Sequence, residues 1–476
     1  MPKTPATAKF QLGVIGLGTM GANLARNAAR NGARVAVCNR SPEKTDAFMQ
    51  SHGTEGKFVA CASLKDLRKA LKVPRAILLM VKAGEAVDIV IQELLPLLDQ
   101  GDILIDGGNS HFRDTERRQR ELREKGIRFV GMGVSGGEEG ALNGPSMMPG
   151  GDQDAFAHVE ILLKRMAADD GAGGRCVTYL GSGSSGHFVK MVHNGIEYGV
   201  MQLIAECYQL LKEVGGSTND EMSQMFAQWN EGDLQSFLLL ITAQILQKKD
   251  PDTGEYLVDL IKDAAGQKGT GKWTTEAAMD LGIGIPTITA AVDARILSLD
   301  PAGRREQNGL WPESLPEPYP ETKSIADLAQ SAFRLSVICT YAQGFELLKS
   351  ASDAHKWDLP YAEIARIWRG GCIIRSALLP RFQSVFSGTE DERKSARHAL
   401  VDLYRGESQV DWRHLIAIAI GRGIPVPALM SSLTYYDTLR APRLPQNLIQ
   451  AQRDCFGAHT FERTDREGAF HADWKN

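Results

Sequence analysis

Leu12-Gly-Val-Ile-Gly16-Leu17-Gly18-Thr19-Met20-Gly21-Ala-Asn23-Leu-Ala-Arg-Asn-Ala-Ala-Arg30-Asn31-Gly32 decides how the first third of the chain folds. The aliphatic run Leu12–Ile15 reads as a strand. A Gly-x-Gly-x-x-Gly turn follows at once, then a helical stretch that closes at Asn31-Gly32. Glycine has a steric task at each position. The first permits the tight turn, the second lets backbone approach a pyrophosphate, and the third lets helix and strand pack closely. The helix N-terminus adds unpaired N–H groups and partial positive charge, which suit phosphate. Within a strand–helix–strand unit the pattern predicts a dinucleotide site at Gly16, Leu17, Gly18, Thr19, Met20 and Gly21.

Further strand candidates are Arg34–Val37, Ala76–Met80, Ile103–Asp106 and Phe129–Met132, with helical stretches such as Asn23–Arg30 and Arg113–Glu124 between them. This alternation predicts a parallel α/β sheet. The second strand ends Cys38-Asn39-Arg40-Ser41. A carboxylate there would accept from a ribose 2′-hydroxyl and repel a 2′-phosphate, whereas arginine pairs with the phosphate. Arg40, with Asn39, Ser41 and Lys44, therefore predicts NADP. Three more segments reach the carboxyl edge of the sheet, where α/β ligands gather: Val81-Lys82-Ala83-Gly84, Asp106-Gly107-Gly108-Asn109-Ser110 and Ser135-Gly136-Gly137-Glu138-Glu139-Gly140.

After the Gly/Ser run Gly181–Gly186 the texture changes, and from His187 to about Tyr436 helical periodicity dominates. Ala205–Lys212 (AECYQLLK) resembles Ala342–Lys349 (AQGFELLK), and each precedes a Trp-x-x-Gly, Trp229–Gly232 and Trp368–Gly371. These blocks suggest an internal duplication of two stacked helical halves. The segment from Ala441 is polar, yet it carries Phe456, Phe461, Phe470 and Trp474. A disordered tail normally lacks aromatics, so this one is expected to dock. The division is 1–183 for the nucleotide domain, 184–440 for the helical domain and 441–476 for the tail.

Composition bounds the function. A chain of 476 residues exceeds what one core usually serves. Fifty-four Lys plus Arg against 58 Asp plus Glu leave a net charge of −4, no field for nucleic acid or anionic lipid. An anionic small molecule must then be held by local cations. Seven scattered cysteines without a C-x-x-C pair suit a reducing compartment. The polar start and the absence of any apolar run near ~20 residues predict a cytoplasmic protein. No cluster has metal-ligand spacing, so no metal is expected.

The chemistry concentrates in Phe188-Val-Lys-Met-Val-His-Asn-Gly-Ile-Glu-Tyr198. Lys190, His193, Asn194 and Glu197 fall at i, i+3, i+4 and i+7, one stripe of a helix. Val189, Met191, Val192 and Ile196 fill the other faces. An acid, a base and two hydrogen bonders in a row on an otherwise apolar helix read as a catalytic wall; the bland alternative is a solvated Lys–Glu pair. Gly266-Gln267-Lys268-Gly269-Thr270-Gly271-Lys272-Trp273 offers N–H groups, two lysines and a hydroxyl to a phosphate.

At GLGTMG, CNRS, LMVKAG, DGGN, VSGGEEGA, KMVHNGIEYG, AGQKGTGKWT and QRDCFGAHTFE the chain resembles the 6-phosphogluconate dehydrogenases, the decarboxylating enzymes of the pentose phosphate pathway. Eight motifs in order run from about Gln11 to the C-terminus. The resemblance implies a Rossmann-type domain, a large all-helical domain, and a tail that enters the partner subunit of a homodimer. It also implies NADP as cofactor and a substrate site of Asn109, Ser135, Gly136, Gly137, His193, Asn194, Glu197, Tyr198, Lys268, Thr270 and Arg295. Arg453 and His459 would come from the neighbouring subunit to grip the phosphate. Many relatives have Ala where Gly18 stands, and Gly remains compatible with a pyrophosphate.

The implied reaction has neutral Lys190 take the proton of the substrate's 3-hydroxyl as C3 is oxidised. The β-keto acid then loses CO2, and Glu197 protonates C1 of the enediol to give ribulose 5-phosphate. A lysine with an ordinary pKa near ~10.4 is cationic at pH 7, so burial or nearby cations must lower it at a cost of roughly 3–4 kcal/mol. Glu197 must shift the other way to hold a proton. Two other readings compete: a smaller β-hydroxyacid dehydrogenase, such as one acting on 3-hydroxyisobutyrate, which would release no CO2, and a non-catalytic NADPH-sensing protein.

Overall fold

A computed structural model describes residues 9–308, 323–387 and 409–474. Seven strands form one sheet: β1 (Leu12–Ile15), β2 (Arg34–Cys38), β3 (Lys57–Ala60), β4 (Ala76–Leu79), β5 (Ile103–Asp106), β6 (Arg128–Ser135) and β7 (Ser146–Gly151). Their spatial order is β3-β2-β1-β4-β5-β6-β7. β1 to β6 run parallel, and Val14 of β1 lies in register with Val37 of β2 and Leu78 of β4. The order reverses at β1, which opens the ligand crevice at the carboxyl ends of β1 and β4.

Alternation along each strand sends side chains to two separate cores. Val35 and Val37 join Val14, Leu24, Ala28 and Phe156 under the helices Thr19–Arg30 and Gln153–Met166. Ala36 joins Ile77, Leu79, Leu67 and Ile91 under Leu64–Ala70 and Glu85–Leu94 on the other face.

Two strands were not expected. β3 is a four-residue edge strand with its ends exposed, so little apolar patterning marks it. β7, Ser-Met-Met-Pro-Gly-Gly, has no β-branched residue to mark it, yet it pairs antiparallel with β6 from Ser135↔Ser146 to Val130↔Gly151. The parallel expectation therefore holds for six strands and fails for the seventh.

The remainder is helical. The long helices Ser185–Glu213 and Ile325–His355 pack against one another through Ile196, Val192 and Gly344. Shorter helices follow each in the same succession. Asn219–Trp229, Phe237–Gln247, Thr270–Asp280 and Pro286–Ser298 have counterparts in Tyr361–Ile367, Leu379–Phe386, Gln409–Gly421 and Pro427–Arg440. The two halves also exchange caps. Glu206 of the first long helix accepts from Ala428 N and Leu429 N at 2.8 and 2.9 Å. Gln343, its counterpart in the second, accepts from Thr287 N at 3.0 Å and donates to the Thr287 hydroxyl at 2.8 Å. Each long helix thus satisfies orphan N–H groups in the first turn of a helix of the other half. Among the described residues no helix is long and apolar enough to cross a membrane.

The tail forms the helix Gln446–Gly457 and a small ribbon, Phe461–Glu462 with Ala469–Phe470. Its knot is buried Asp454, which accepts from Thr460 N, Ala472 N, the His471 ring and the Trp474 indole at 2.8–3.1 Å. All seven cysteines are free thiols, and six are buried.

Burial pushes the Glu206 carboxyl up to about 7. The folded state then holds a proton that the unfolded chain releases near pH 4.5, so stability falls as pH rises from there through about 7. Differential scanning calorimetry should show the wild-type chain losing about 3 kcal/mol over that window relative to Glu206→Gln, whose side chain cannot ionise.

Candidate functional site

The glycine turn is shaped as the sequence predicts. Gly16 has φ +97°, and a Cβ there would sit 2.4 Å from the Met80 carbonyl oxygen, so no other residue fits. A Cβ on Gly18 would meet nothing within 4 Å, which leaves that backbone face open. The helix Thr19–Arg30 starts directly behind it, its N-terminus carrying no acidic residue and no side-chain cap. The N–H groups are therefore available to an anion. Asn39 latches the turn to β2, accepting from Leu17 N at 3.0 Å. Arg40 beside it is exposed, Ser41 holds the N-cap position of the next helix with no side-chain cap bond of its own, and Val81, exposed Lys82 and Ala83 follow β4. An open, donor-rich cradle with a cation at the ribose end fits NADP.

The reacting face is set by the first turns of Ser185–Glu213. Gly186 is the contact point: a Cβ would lie 2.3–2.6 Å from backbone atoms of Gly131, Met148 and Gly150. One turn on, a Cβ at Gly133 of β6 would collide with the Lys190 Cβ at 2.2 Å. Two glycines thus let the helix lie directly on the sheet, and the root of the Lys190 side chain occupies the space over Gly133.

Lys190, His193 and Asn194 are buried, and the Glu197 side chain is 22 % exposed. The Lys190 Nζ donates to Asn194 Oδ1 at 2.6 Å and lies 3.3 Å from His193 Nδ1, which is 3.9 Å from Glu197 Oε2. Ser135 Oγ accepts from Ile373 N at 3.4 Å and sits 3.1 Å from His193 Nε2. The His193 ring thus bridges Ser135 on its Nε2 side and Lys190 and Asn194 on its Nδ1 side, with Asn194 Oδ1 3.1 Å from Nδ1. Burial lowers the Lys190 pKa, Glu197 opposing it, and burial pushes Glu197 up, Lys190 and Arg295 opposing. Burial also holds His193 well below its ordinary value. The stripe is no solvated ion pair.

The other expected residues divide in two. Tyr198 is buried on the same helix with the Arg295 guanidinium 3.5 Å over its ring, and Arg295 also donates to the Gly266 carbonyl at 3.4 Å. Thr270 opens the helix Thr270–Asp280 behind exposed Lys268. Gly136 and Gly137 start the helix after β6, and Asn109 is exposed beyond β5. Arg453 and His459 instead stay among tail residues: Arg453 donates to Gln450 at 2.9 Å, and His459 packs edge-on to Phe456 at 5.9 Å. The sequence reading missed Gly133, whose bare backbone accommodates Lys190, and Ile373, whose N–H orients Ser135. Nothing local marks either one.

Residues 11–181 match the NAD binding domain of 6-phosphogluconate dehydrogenase, and residues 186–474 match the C-terminal domain of the same enzyme. The chain belongs to the 6-phosphogluconate dehydrogenase family. It is 52 % identical over 472 residues to the decarboxylating 6-phosphogluconate dehydrogenase of Synechococcus elongatus, covering 98 % of this chain and 99 % of that one. It is 50 % identical, with the same coverage, to the NADP(+)-dependent decarboxylating enzyme of Bacillus subtilis. The Plasmodium falciparum 6-phosphogluconate dehydrogenase, whose solved structures include complexes with NADP+ and 6-phosphogluconate, superposes with a TM-score of 0.92. It is 42 % identical, over 98 % of this chain and 100 % of that one. A match of this length in the family leaves no room for a smaller β-hydroxyacid dehydrogenase.

Gly133→Ala should lower the melting temperature by an overpacking cost of about 1–3 kcal/mol and displace Lys190. Assays with saturating ligands should then show a lower kcat while NADP affinity, measured by fluorescence titration, stays near wild type.

Proposed function

We propose that this chain oxidises and decarboxylates 6-phospho-D-gluconate to D-ribulose 5-phosphate and CO2 while reducing NADP to NADPH. The observation that carries the reading is the buried Lys190–His193–Asn194–Glu197 stripe, with burial driving the lysine toward neutrality and the glutamate toward protonation. Bound NADP supplies the hydride acceptor. Gly16 to Gly21 hold its pyrophosphate, Asn39, Arg40 and Ser41 its 2′-phosphate end, and Val81 to Ala83 with Asn109 its reacting end.

Lys190, uncharged, takes the proton from the 3-hydroxyl as C3 is oxidised. Its ammonium then polarises the new carbonyl, and the β-keto acid loses its carboxylate as CO2. Glu197 delivers a proton to C1 of the resulting enediol. Asn109, Ser135, Gly136, Gly137, His193, Asn194 and Tyr198 orient the sugar acid, and Lys268, Thr270 and Arg295 receive its phosphate. The flux belongs to the pentose phosphate pathway.

The enzyme works as a homodimer. The tail, 441–476, reaches the site of the second subunit, where Arg453 and His459 complete the phosphate grip. Support comes from a tail that is knotted around its own Asp454 while Phe456 stays 75 % exposed, an apolar side chain awaiting a surface. The working division is 1–183 for NADP, 184–440 for substrate and dimer contacts, and 441–476 for the tail. Buried free thiols support a cytoplasmic location.

Purified protein should turn over 6-phosphogluconate with NADP, releasing one CO2 per NADPH; oxidation without CO2 would refute the assignment. Lys190→Ala should abolish turnover while NADP binding persists, and retention of more than about a tenth of the wild-type rate would remove Lys190 from the role of base. Arg40→Glu should weaken NADP about tenfold or more relative to NAD, by losing a charge-assisted pair and adding repulsion. An unchanged preference would remove Arg40 from the 2′-phosphate site.

A further inference from the structure

Arg118 lies on the helix Phe112–Arg123, in none of the motifs that carry the chemistry, and its side chain is 1 % exposed. The guanidinium forks onto Asp88 through Nε and Nη2 at 2.7 and 3.0 Å, and Nη2 also donates to the Gly84 carbonyl at 2.9 Å. Nη1 reaches the Ser110 hydroxyl at 3.3 Å and Asp106 Oδ2 at 3.4 Å. Five N–H vectors meet five acceptors, which only arginine can supply. Those acceptors lie at the ends of two different loops: Gly84 ends the Val81–Gly84 turn after β4 and Asp88 sits in the first turn of the helix that follows it, whereas Asp106 ends β5 and, with Ser110, brackets Asn109.

Asp106 extends the tie to the reacting helix. Its side chain also accepts from Gly108 N at 3.1 Å and from the Ser110 hydroxyl at 2.6 Å, and its carbonyl accepts from His187 Nε2 at 3.1 Å. His187 stands one turn before Lys190, and its other nitrogen lies 2.6 Å from the hydroxyl of Thr115, on the same helix as Arg118. A buried cation with two carboxylates is a costly way to gain stability, since apolar packing usually does as well. What it supplies instead is fixed geometry between the groups it joins.

We propose that Arg118 is a positioning residue that locks the Val81–Gly84 loop to the Asp106–Ser110 loop, holding cofactor and substrate in register for hydride transfer. The inference rests on the reaction assigned above, so wild-type turnover is measured first. Its absence would strike that assignment and leave the loop coupling to be judged by hydrogen exchange alone. Arg118→Lys keeps the charge without the fork; Arg118→Ala opens a cavity for added guanidinium. Without any ligand, amide exchange should rise together in residues 81–88 and 106–111 of both variants and stay unchanged in 42–52. With saturating ligands kcat should fall about 10²-fold, as for a reactant misplaced by an ångström. The primary deuterium isotope effect on kcat with 3-deuterated substrate should rise, and guanidinium should restore part of the rate to the alanine variant and none to the lysine variant.

Unchanged exchange in both loops, a wild-type isotope effect, or a loss confined to KM would overturn the proposal. If neither Arg118 variant folds, Asp88→Asn, at a partly exposed carboxylate, is read by the same exchange and isotope measurements. Loosening of 81–88 with a raised isotope effect upholds the coupling, and wild-type behaviour overturns it.

Discussion

The site depends on a helix seated on a sheet with no side chain between them. At Gly186 the backbone of Ser185–Glu213 touches the backbones of β6 and β7, and at Gly133 the strand yields its own side-chain position to Lys190. Thr274 holds the helix from the opposite side, its hydroxyl on the Met191 carbonyl at 2.9 Å, its methyl against Gly195. The helix can neither rotate nor slide, so the stripe is aimed by packing. The same closeness removes water from the lysine, and dehydration disfavours its charge. Position and protonation are two results of one contact.

The helical region holds that contact by a symmetry of construction. Each long helix lends a polar side chain to the first turn of a helix in the other half, Glu206 in one direction and Gln343 in the other. The neutral amide does this at no charge penalty. The carboxylate gains two strong bonds but surrenders its hydration, and burial outweighs those bonds in its raised pKa. Interlocked halves form a single core, in which Trp368 and Trp412 are fully buried.

The polar ties around the crevice follow a different rule. Asp106 and Asp454 are each buried carboxylates surrounded by donors, one between two loops and a helix, the other inside the tail. Both fix irregular backbone, where no ladder of hydrogen bonds exists to hold shape. The first of these knots holds the loop that carries Asn109, and the second ties the strands and end of the tail to its helix.

Much of this was legible in the sequence. β1 and β5 were read to the residue, the glycine turn lay where predicted, and the stripe of Lys190, His193, Asn194 and Glu197 followed from helical spacing alone, because periodicity is a relation between near neighbours. β3 and β7 were not, since an exposed edge strand and a Met-Met-Pro-Gly-Gly run lack that relation. Gly133 against Lys190, Ile373 on Ser135 and the two loops joined by Arg118 lie beyond any local pattern. They join residues up to 238 positions apart. The chain's own order of residues determined which groups share a face. Folding alone decided which of them lost water, and with it which could exchange protons, because desolvation is set by everything packed around a group and not by what precedes it in the chain.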